Sequence, residues 1–254
     1  HRLGGQFGPE EARVRLEAAL DQEWPARPLA VLAGRSAHYS VRKAVRIVGG
    51  GALHLVPVEV DEDFRLDPED LAEKLAELGS KGIGVLAVVT TAGSTATGSM
   101  DPVQGVPDLQ ARWGFWWHVD AAYGGHFRTA LFGPESAHDS GVDAFGMARV
   151  RPTFQPTLDS KLPPSTLAAL AGISGATSLS IDPHKLGFVP KGCGALLLAD
   201  ARWASFAGET AGYFADDRDC GLQFGPRHTL SSGIEGSRSG RAPMSCYINH
   251  RLTP

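Results

Sequence analysis

Side chains with reactive or hydrogen-bonding groups follow several predicted β-strands of this sequence. Lys185 lies in a turn rich in proline and glycine between two apolar runs. Asp120 ends the run "FWWHVD", His38 follows "LAVLAGRSA", and Thr95 follows "LAVVTTAGS". In open α/β sheets, ligands bind at the edge where parallel strands have their carboxyl ends. We therefore expect an amine, a carboxylate, an imidazole and a hydroxyl to meet at one site.

This set of groups matches the chemistry of pyridoxal phosphate, and neither metal chemistry nor phosphate hydrolysis uses it. A lysine amine forms a Schiff base with the aldehyde of this cofactor, and a carboxylate keeps its pyridine nitrogen protonated. Small side chains at Ala121 and Ala122 would let the backbone approach one face of the ring, while an imidazole stacks on the other. The nine histidines show no metal-binding spacing, so no metal site is expected.

Apolar strands and amphipathic helices alternate along the chain. The strand-like runs are "PLAVLAG", "ALHLVPVEV", "IGVLAVVT" and "FWWHVD". Helices are predicted over about 9–22 and 41–48, and further helices are predicted to start at Asp67 and Asp101. Gly105 and Pro107 are expected to delay or kink the last of these helices. Repeated strand–helix–strand units require crossover connections, so the sequence predicts an α/β fold with a mostly parallel sheet.

The last pair of strands departs from this pattern. The segment between Ile181 and Gly194 is too short for a crossover helix and contains prolines and glycines. The final strand should therefore turn back and run antiparallel to its neighbour. This places Lys185 in the connecting turn, at the carboxyl end of a strand.

Composition narrows the function classes. The chain has 254 residues and a formal net charge of −4, so no basic surface favours nucleic acid. No apolar run reaches the length of a membrane span. The three cysteines lack CxxC spacing, so we expect a cytoplasmic setting without a disulfide framework. Cys193 is expected to be a small buried hydrophobe and His118 a packed core residue.

The sequence resembles the group II pyridoxal-phosphate-dependent amino acid decarboxylases, which have the aspartate aminotransferase fold (fold type I). The matching segments are "AHYSVRKA", "TTAGSTATGSMDPV", "WHVDAAYGG", "SIDPHKLGFVPKGCGALLLAD" and, more loosely, "IEGSRSG". They occur in the family's order, and they are most similar to the bacterial tyrosine decarboxylases. The resemblance implies pyridoxal 5'-phosphate as cofactor, an amino acid as substrate and a homodimer with active sites at the interface.

The resemblance assigns roles to particular residues. It implies that Lys185 is the Schiff-base lysine and that His184 contacts the phosphate or another part of the cofactor. Asp120 would pair with the pyridine nitrogen, and Ala122 would lie under the ring.

Three further assignments depend on the same resemblance. His38 would stack over the ring and help to protonate the product. Thr95 would hydrogen-bond near the ring or near Asp120. Arg238 would hold the substrate carboxylate, as in some related decarboxylases.

The sequence also departs from the family pattern. No Gly-Gly-Thr/Ser phosphate-binding loop precedes His38, and no C-terminal small domain follows, so we expect a portion of a longer enzyme. We interpret residues 1–242 as a partial large domain and 243–254 as the start of the C-terminal region. Within the large domain, 131–177 is an insertion or interface segment and 208–233 is a candidate mobile loop. The stretch 216–233 of this loop contains no tyrosine to match the catalytic tyrosine of the family.

Three functions follow, of which the first is favoured. The primary hypothesis is decarboxylation of an L-amino acid to the amine and CO2, with an aromatic, tyrosine-like substrate preferred. A second is decarboxylation coupled to oxidative deamination, or another carbon–carbon lysis that uses the same cofactor. The third is an inert domain that packs against a partner chain.

Overall fold

The main sheet of the protein contains six strands within the part of the chain that the structure describes. This structure is a computed structural model, and it describes residues 28–49, 53–131, 137–142, 148–151, 162–200, 203 and 239–252. The strands are β1 Leu29–Gly34, β2 Leu53–Val58, β3 Gly84–Thr91, β4 Trp116–Asp120, β7 Ser178–Ile181 and β8 Ala195–Leu198. Across the sheet they lie in the order β2-β1-β3-β4-β7-β8. Across these described ranges, no helix combines the length and the apolar character needed to cross a membrane.

Crossover helices connect the parallel strands as the alternating pattern predicts. Among the described residues, the helices that lie between strands are α1 Tyr39–Gly49, α2 Pro68–Ser80, α3 Val106–Trp113 and α4 Pro164–Gly172. A further helix, α5 Arg241–Leu252, follows the last strand. Strands β2, β1, β3, β4 and β7 pair with their neighbours in parallel. The edge position of β2 accommodates Pro57, which has no N–H to donate to a second neighbour.

The reversed strand is confirmed. β8 pairs with β7 in antiparallel register, with Ser178 opposite Leu198 and Ile181 opposite Ala195. The turn between them, residues 182–194, carries Lys185, and we refer to it as the lysine turn.

Helix α2 begins where its sequence predicts. The Asp67 side chain caps it by accepting hydrogen bonds from the backbone N–H groups of Glu69 and Asp70. Along one face of the helix, Leu71 and Leu75 are fully buried in the core. Capping and an apolar stripe at helical spacing are therefore enough to define this element.

Helix α3 begins at Val106, after the delay that Gly105 and Pro107 predict. Asp101 does not cap it. The Asp101 carboxylate instead accepts hydrogen bonds from the backbone N–H groups of Leu66, at 2.8 Å, and Thr91, at 2.7 Å. The side chain is used to join two distant segments, so it is not available to the helix start.

The two faces of the main sheet differ. One face packs into the main core, in which Val88, Phe115, Trp117 and Val119 are buried. The other face has a smaller apolar cluster around Val31, beneath α1. The residues that alternate with the core residues on β4 therefore point toward α1 and toward the carboxyl edge.

The remaining described segments lie outside the main sheet. β5 Ala137–Val142 and β6 Ala148–Arg151 pair antiparallel within the segment interpreted as an insertion, and α4 follows. The predicted helix over 9–22 and the candidate mobile loop 208–233 lie outside the described residues. The domain boundaries drawn from the sequence stay predictions.

Candidate active site

Strands β1, β3, β4 and β7 are parallel, so their carboxyl ends share one edge of the main sheet. His38 and Thr95 follow β1 and β3, Asp120 is the last residue of β4, and Lys185 lies in the turn after β7. The edge predicted from the sequence is therefore the edge at which these four side chains occur.

A cavity of about 570 Å³ opens at this edge. The residues predicted for the site that line it are His38, Thr95, Asp120, Ala122 and Lys185. A cavity of this size is typical of small-molecule sites. The structure thus brings together the predicted amine, carboxylate, imidazole and hydroxyl.

The Lys185 amine forms an ion pair inside the lysine turn. Its Nζ lies 3.0 Å from Oδ2 of Asp182, and its backbone N–H donates to the Asp182 carbonyl at 2.9 Å. Asp182 lines the same cavity but was not predicted as a site residue. An acid three residues before a candidate reactive lysine was the available signal.

His184 is not among the described residues that line the cavity. Its Nδ1 lies 2.6 Å from the backbone oxygen of Cys193, and its backbone N–H donates to the same oxygen at 3.2 Å. Because a carbonyl can only accept, Nδ1 carries a proton, and Nε2 is left facing Asp182 at 3.7 Å. In this structure His184 joins the two ends of the lysine turn, and its predicted cofactor contact stays a prediction.

The Asp120 carboxylate, at the end of β4, accepts two long hydrogen bonds. Its Oδ1 accepts the Ala122 backbone N–H at 3.2 Å and the Ser180 hydroxyl at 3.4 Å. Ser180 is also its partner in the β4–β7 register. The carboxylate therefore keeps acceptor capacity for a ligand in the cavity.

His118 lies in the cavity lining, which corrects the prediction that it packs in the core. Its Nδ1 is 2.8 Å from the Ser178 hydroxyl, which also accepts the indole N–H of Trp116 at 2.7 Å. Burial lowers the pKa of His118, and the nearby Asp120 only partly opposes this effect. His118 and Asp120 are two residues apart on one strand and so share a face, which was the signal in the sequence.

His38 occupies the start of α1. Its backbone oxygen accepts the Val41 N–H at 3.1 Å, and its Nδ1 lies 2.7 Å from the Ser40 hydroxyl. The rings of His38 and Tyr39 have centroids 4.2 Å apart. The residue is thus a helix-start histidine whose ring also reaches the cavity.

Thr95 lies in an exposed turn after β3 that begins at Gly93. The Gly93 backbone has φ +88°, and an added Cβ would lie 2.8 Å from the backbone of Gly124. A side chain at this position would separate the two loops that carry Thr95 and Asp120. Arg238, the predicted substrate contact, lies outside the described residues.

The cavity fits the cofactor that the sequence predicts. An amine and a carboxylate reach it from different strands, and the Ala122 side chain leaves room for a flat ring. The apolar wall of the cavity is formed by Val31, Val41, Ala44, Val45, Val48, Leu53 and Val89. Lys185, Asp120, Ala122 and His38 are the residues that would hold the ring of pyridoxal phosphate.

Comparison with known proteins agrees with this geometry. Residues 12–151 match the profile of the pyridoxal-dependent decarboxylase conserved domain. L-tyrosine decarboxylase of Levilactobacillus brevis is 31% identical, over 88% of this chain and 36% of its own length. Aspartate 1-decarboxylase of Aliivibrio fischeri is 32% identical, over 93% of this chain and 36% of its own length. The chain thus spans about a third of these relatives.

A solved structure shows the same fold. The crystal structure of Oryza sativa TDC with PLP and tryptamine superposes with a TM-score of 0.65 at 22% identity. The superposition covers 96% of this chain and 43% of the chain in that crystal structure. The likeness confirms the fold predicted from the sequence.

Proposed function

Because this chain belongs to the pyridoxal-dependent decarboxylase family, we propose that it removes the α-carboxylate of an L-amino acid as CO2 and leaves the amine. One observation carries the proposal: the Lys185 amine and the Asp120 carboxylate, from the ends of different strands, line the same cavity. The bound cofactor would supply an aldehyde that links to amines and a ring that accepts the electron pair left by CO2.

The residues of the chain have separate parts in this proposal. Asp182 holds the Lys185 amine at the cavity, and this ion pair must open before the amine reacts as a nucleophile. Asp120 would favour the protonated form of the cofactor's pyridine nitrogen, because a nearby negative charge stabilises that form. His38, whose ring lines the same cavity, would deliver a proton to the product.

The first experiment asks whether Lys185 is the attachment site. The chain is incubated with pyridoxal phosphate, reduced with borohydride and digested, and the modified lysine is identified by mass spectrometry. We expect Lys185 to be modified and Lys185→Ala to lose the visible absorbance band. Lys191, exposed in the same turn, provides the matched control, so Lys191→Ala should behave as wild type. Modification spread over several lysines, or centred on Lys191, would contradict the proposal.

We propose an aromatic, tyrosine-like substrate, on the basis of the apolar wall and of the similarity to tyrosine decarboxylase. Among the described residues that line the cavity, Lys185 is the sole lysine or arginine, and it is already assigned to the cofactor. Within the described part of the lining, an acidic substrate side chain would therefore find no separate lysine or arginine. Release of CO2 from L-tyrosine and from L-aspartate is compared at equal concentrations, and faster release from L-aspartate would refute this preference.

The products formed in air distinguish simple decarboxylation from the alternative reaction. Formation of aldehyde and ammonia instead of the amine would indicate oxidative deamination.

A homodimer is part of the same proposal. Ile47 and Val48, at the end of α1, are each 80% exposed and form an apolar surface next to the cavity. Sedimentation of the intact protein measures its mass in solution. A monomer at all concentrations would exclude this arrangement.

A further inference from the structure

Two cysteines meet between the lysine turn and helix α5. Cys193 and Cys246 both line a second cavity of about 390 Å³, separate from the candidate active site. Cys193 is buried and Cys246 is half-buried, and neither is in a disulfide. The Cys193 thiol donates to the Ala242 carbonyl at the start of α5, at 3.6 Å. The pair thus links a turn of the sheet to a helix that is distant in the sequence.

The two thiols also face each other across this second cavity, which both of them line. The Cys193 sulfur lies 3.6 Å from the carbonyl oxygen of Ala242, one helical turn before Cys246 in α5. A small shift of α5 would therefore bring the two sulfurs to bonding distance. Burial raises the pKa of the Cys246 thiol, and the nearby Cys193 thiol raises it further. This proximity was not expected from the sequence, in which 52 residues separate the two cysteines.

This pair adjoins the groups that hold the lysine turn in place. The Cys193 backbone oxygen accepts both hydrogen bonds from His184, which precedes Lys185. One turn of helix beyond Cys246, the Asn249 side chain donates to the Gly187 carbonyl at 2.9 Å. Helix α5 therefore contacts the lysine turn through the Ala242 carbonyl and the Asn249 side chain.

We propose that Cys193 and Cys246 form a thiol modification site that closes to a disulfide on reaction with a peroxide and fixes α5 to the lysine turn. Because the pKa of Cys246 is raised, the reaction requires alkaline pH, at which the half-buried Cys246 thiolate attacks the peroxide. The O–O bond breaks, the sulfur becomes a sulfenic acid, and the released hydroxide takes up the thiol proton to form water. The Cys193 thiol then displaces water from that sulfur, so both thiol protons leave in water. The two thiols lose two electrons, and the peroxide is reduced.

The test follows thiols and mass in the full chain, and it requires neither cofactor nor activity. The sequence has three cysteines, so hydrogen peroxide should remove two free thiols and the mass of two hydrogens. Peptide mapping should join Cys193 to Cys246, and dithiothreitol should restore both. Cys220→Ser is the matched control and should still form the bond.

A second measurement checks the link between the two elements. Amide hydrogen exchange in residues 183–194 should slow after oxidation of the wild-type chain and stay unchanged in Cys246→Ser. A disulfide that involves Cys220, or oxidation of Cys246 that stops at the sulfenic or sulfinic acid, would overturn the site. Formation of the bond without slower exchange would overturn its effect on the turn.

Discussion

Strand β4 contributes side chains both to the main core and to the cavity of the candidate active site, because alternate residues point to opposite faces of the sheet. Trp117 and Val119 are completely buried in the main core. His118 and Asp120, one residue along from each, line the cavity on the other face. The core face is filled by side chains, whereas the cavity face has hydrogen-bonding groups with acceptor or donor capacity left over.

Two carboxylates show the same difference. Asp101 is 2% exposed, and its two oxygens each accept a backbone N–H at 2.7–2.8 Å. Asp120 makes contacts of 3.2 and 3.4 Å and faces the cavity. A carboxylate whose bonds are all made inside the protein stabilises the fold, and one with unused acceptors can serve a ligand.

The largest expected effect is on stability, from the core face of β4. Trp117→Ala should lower the free energy of unfolding by roughly 3–5 kcal/mol. The indole is fully buried, and its N–H donates to the Thr90 hydroxyl at 2.9 Å, so that group loses its partner as well. Urea unfolding followed by circular dichroism measures the change. The matched control is His118→Ala on the opposite face, which should cost about 1 kcal/mol; equal costs would remove the distinction between the faces.

The next effect is on activity, from the cavity face of the same strand. Asp120→Asn should slow CO2 release about a thousand-fold, since groups that hold a catalytic proton contribute roughly 10²–10⁴-fold. Stability should change by less than about 1 kcal/mol, because the amide oxygen can keep both weak hydrogen bonds. Asp108→Asn, on the exposed surface of α3, is the control and should leave activity unchanged. Rates within a few fold of wild type would exclude Asp120 from the chemistry.

The third effect is a dependence of stability on pH that arises from the buried carboxyl of Asp101. Burial raises the pKa of Asp101 from 3.8 to about 6, while the hydrogen bonds from Leu66 and Thr91 oppose it. Between these values the folded state keeps a proton that the unfolded state has lost, so stability falls as pH rises from 3.8 to about 6. Two pKa units correspond to a loss of about 3 kcal/mol.

The measurement is the difference between the unfolding free energies of wild type and Asp101→Asn across that pH range. The subtraction is needed because other carboxyls act in the opposite direction. For Asp70, desolvation is outweighed by hydrogen bonds from Lys74 and from the Glu59 backbone, so its pKa is lowered. The difference should decrease with rising pH, and a flat or rising difference would contradict the assignment.

Local patterns were sufficient to predict most of the described fold. Alternating strands and helices predicted the parallel sheet, and the short segment before Gly194 predicted the reversed strand. Asp101 shows the limit of such patterns. Its sequence context suits a helix cap, but its partners Leu66 and Thr91 come together only when the sheet forms.

The site was predictable to a similar extent. Strand ends identified Lys185 and Asp120 because parallel topology alone brings such ends together. The ion pair with Asp182 and the proximity of Cys193 to Cys246 depend on how the turn after β7 closes and on where α5 packs. No local pattern encodes these two features, so the sequence did not predict them.

The smallest expected effect comes from the serine that orients His118. The Ser178 hydroxyl accepts the Trp116 N–H, so its own proton is available to the Nδ1 of His118. Burial lowers the pKa of His118 and favours the neutral ring, whose proton then resides on Nε2. Ser178→Ala removes the group that selects this tautomer, at a cost of about 1 kcal/mol. Nitrogen-15 shifts of the ring should show protonated Nε2 in wild type and a tautomer mixture in the variant. The control is Ser180→Ala, which changes the serine opposite Asp120 and should leave the ring shifts of His118 unchanged. A wild-type spectrum in Ser178→Ala would show that Ser178 does not determine which ring nitrogen of His118 carries the proton.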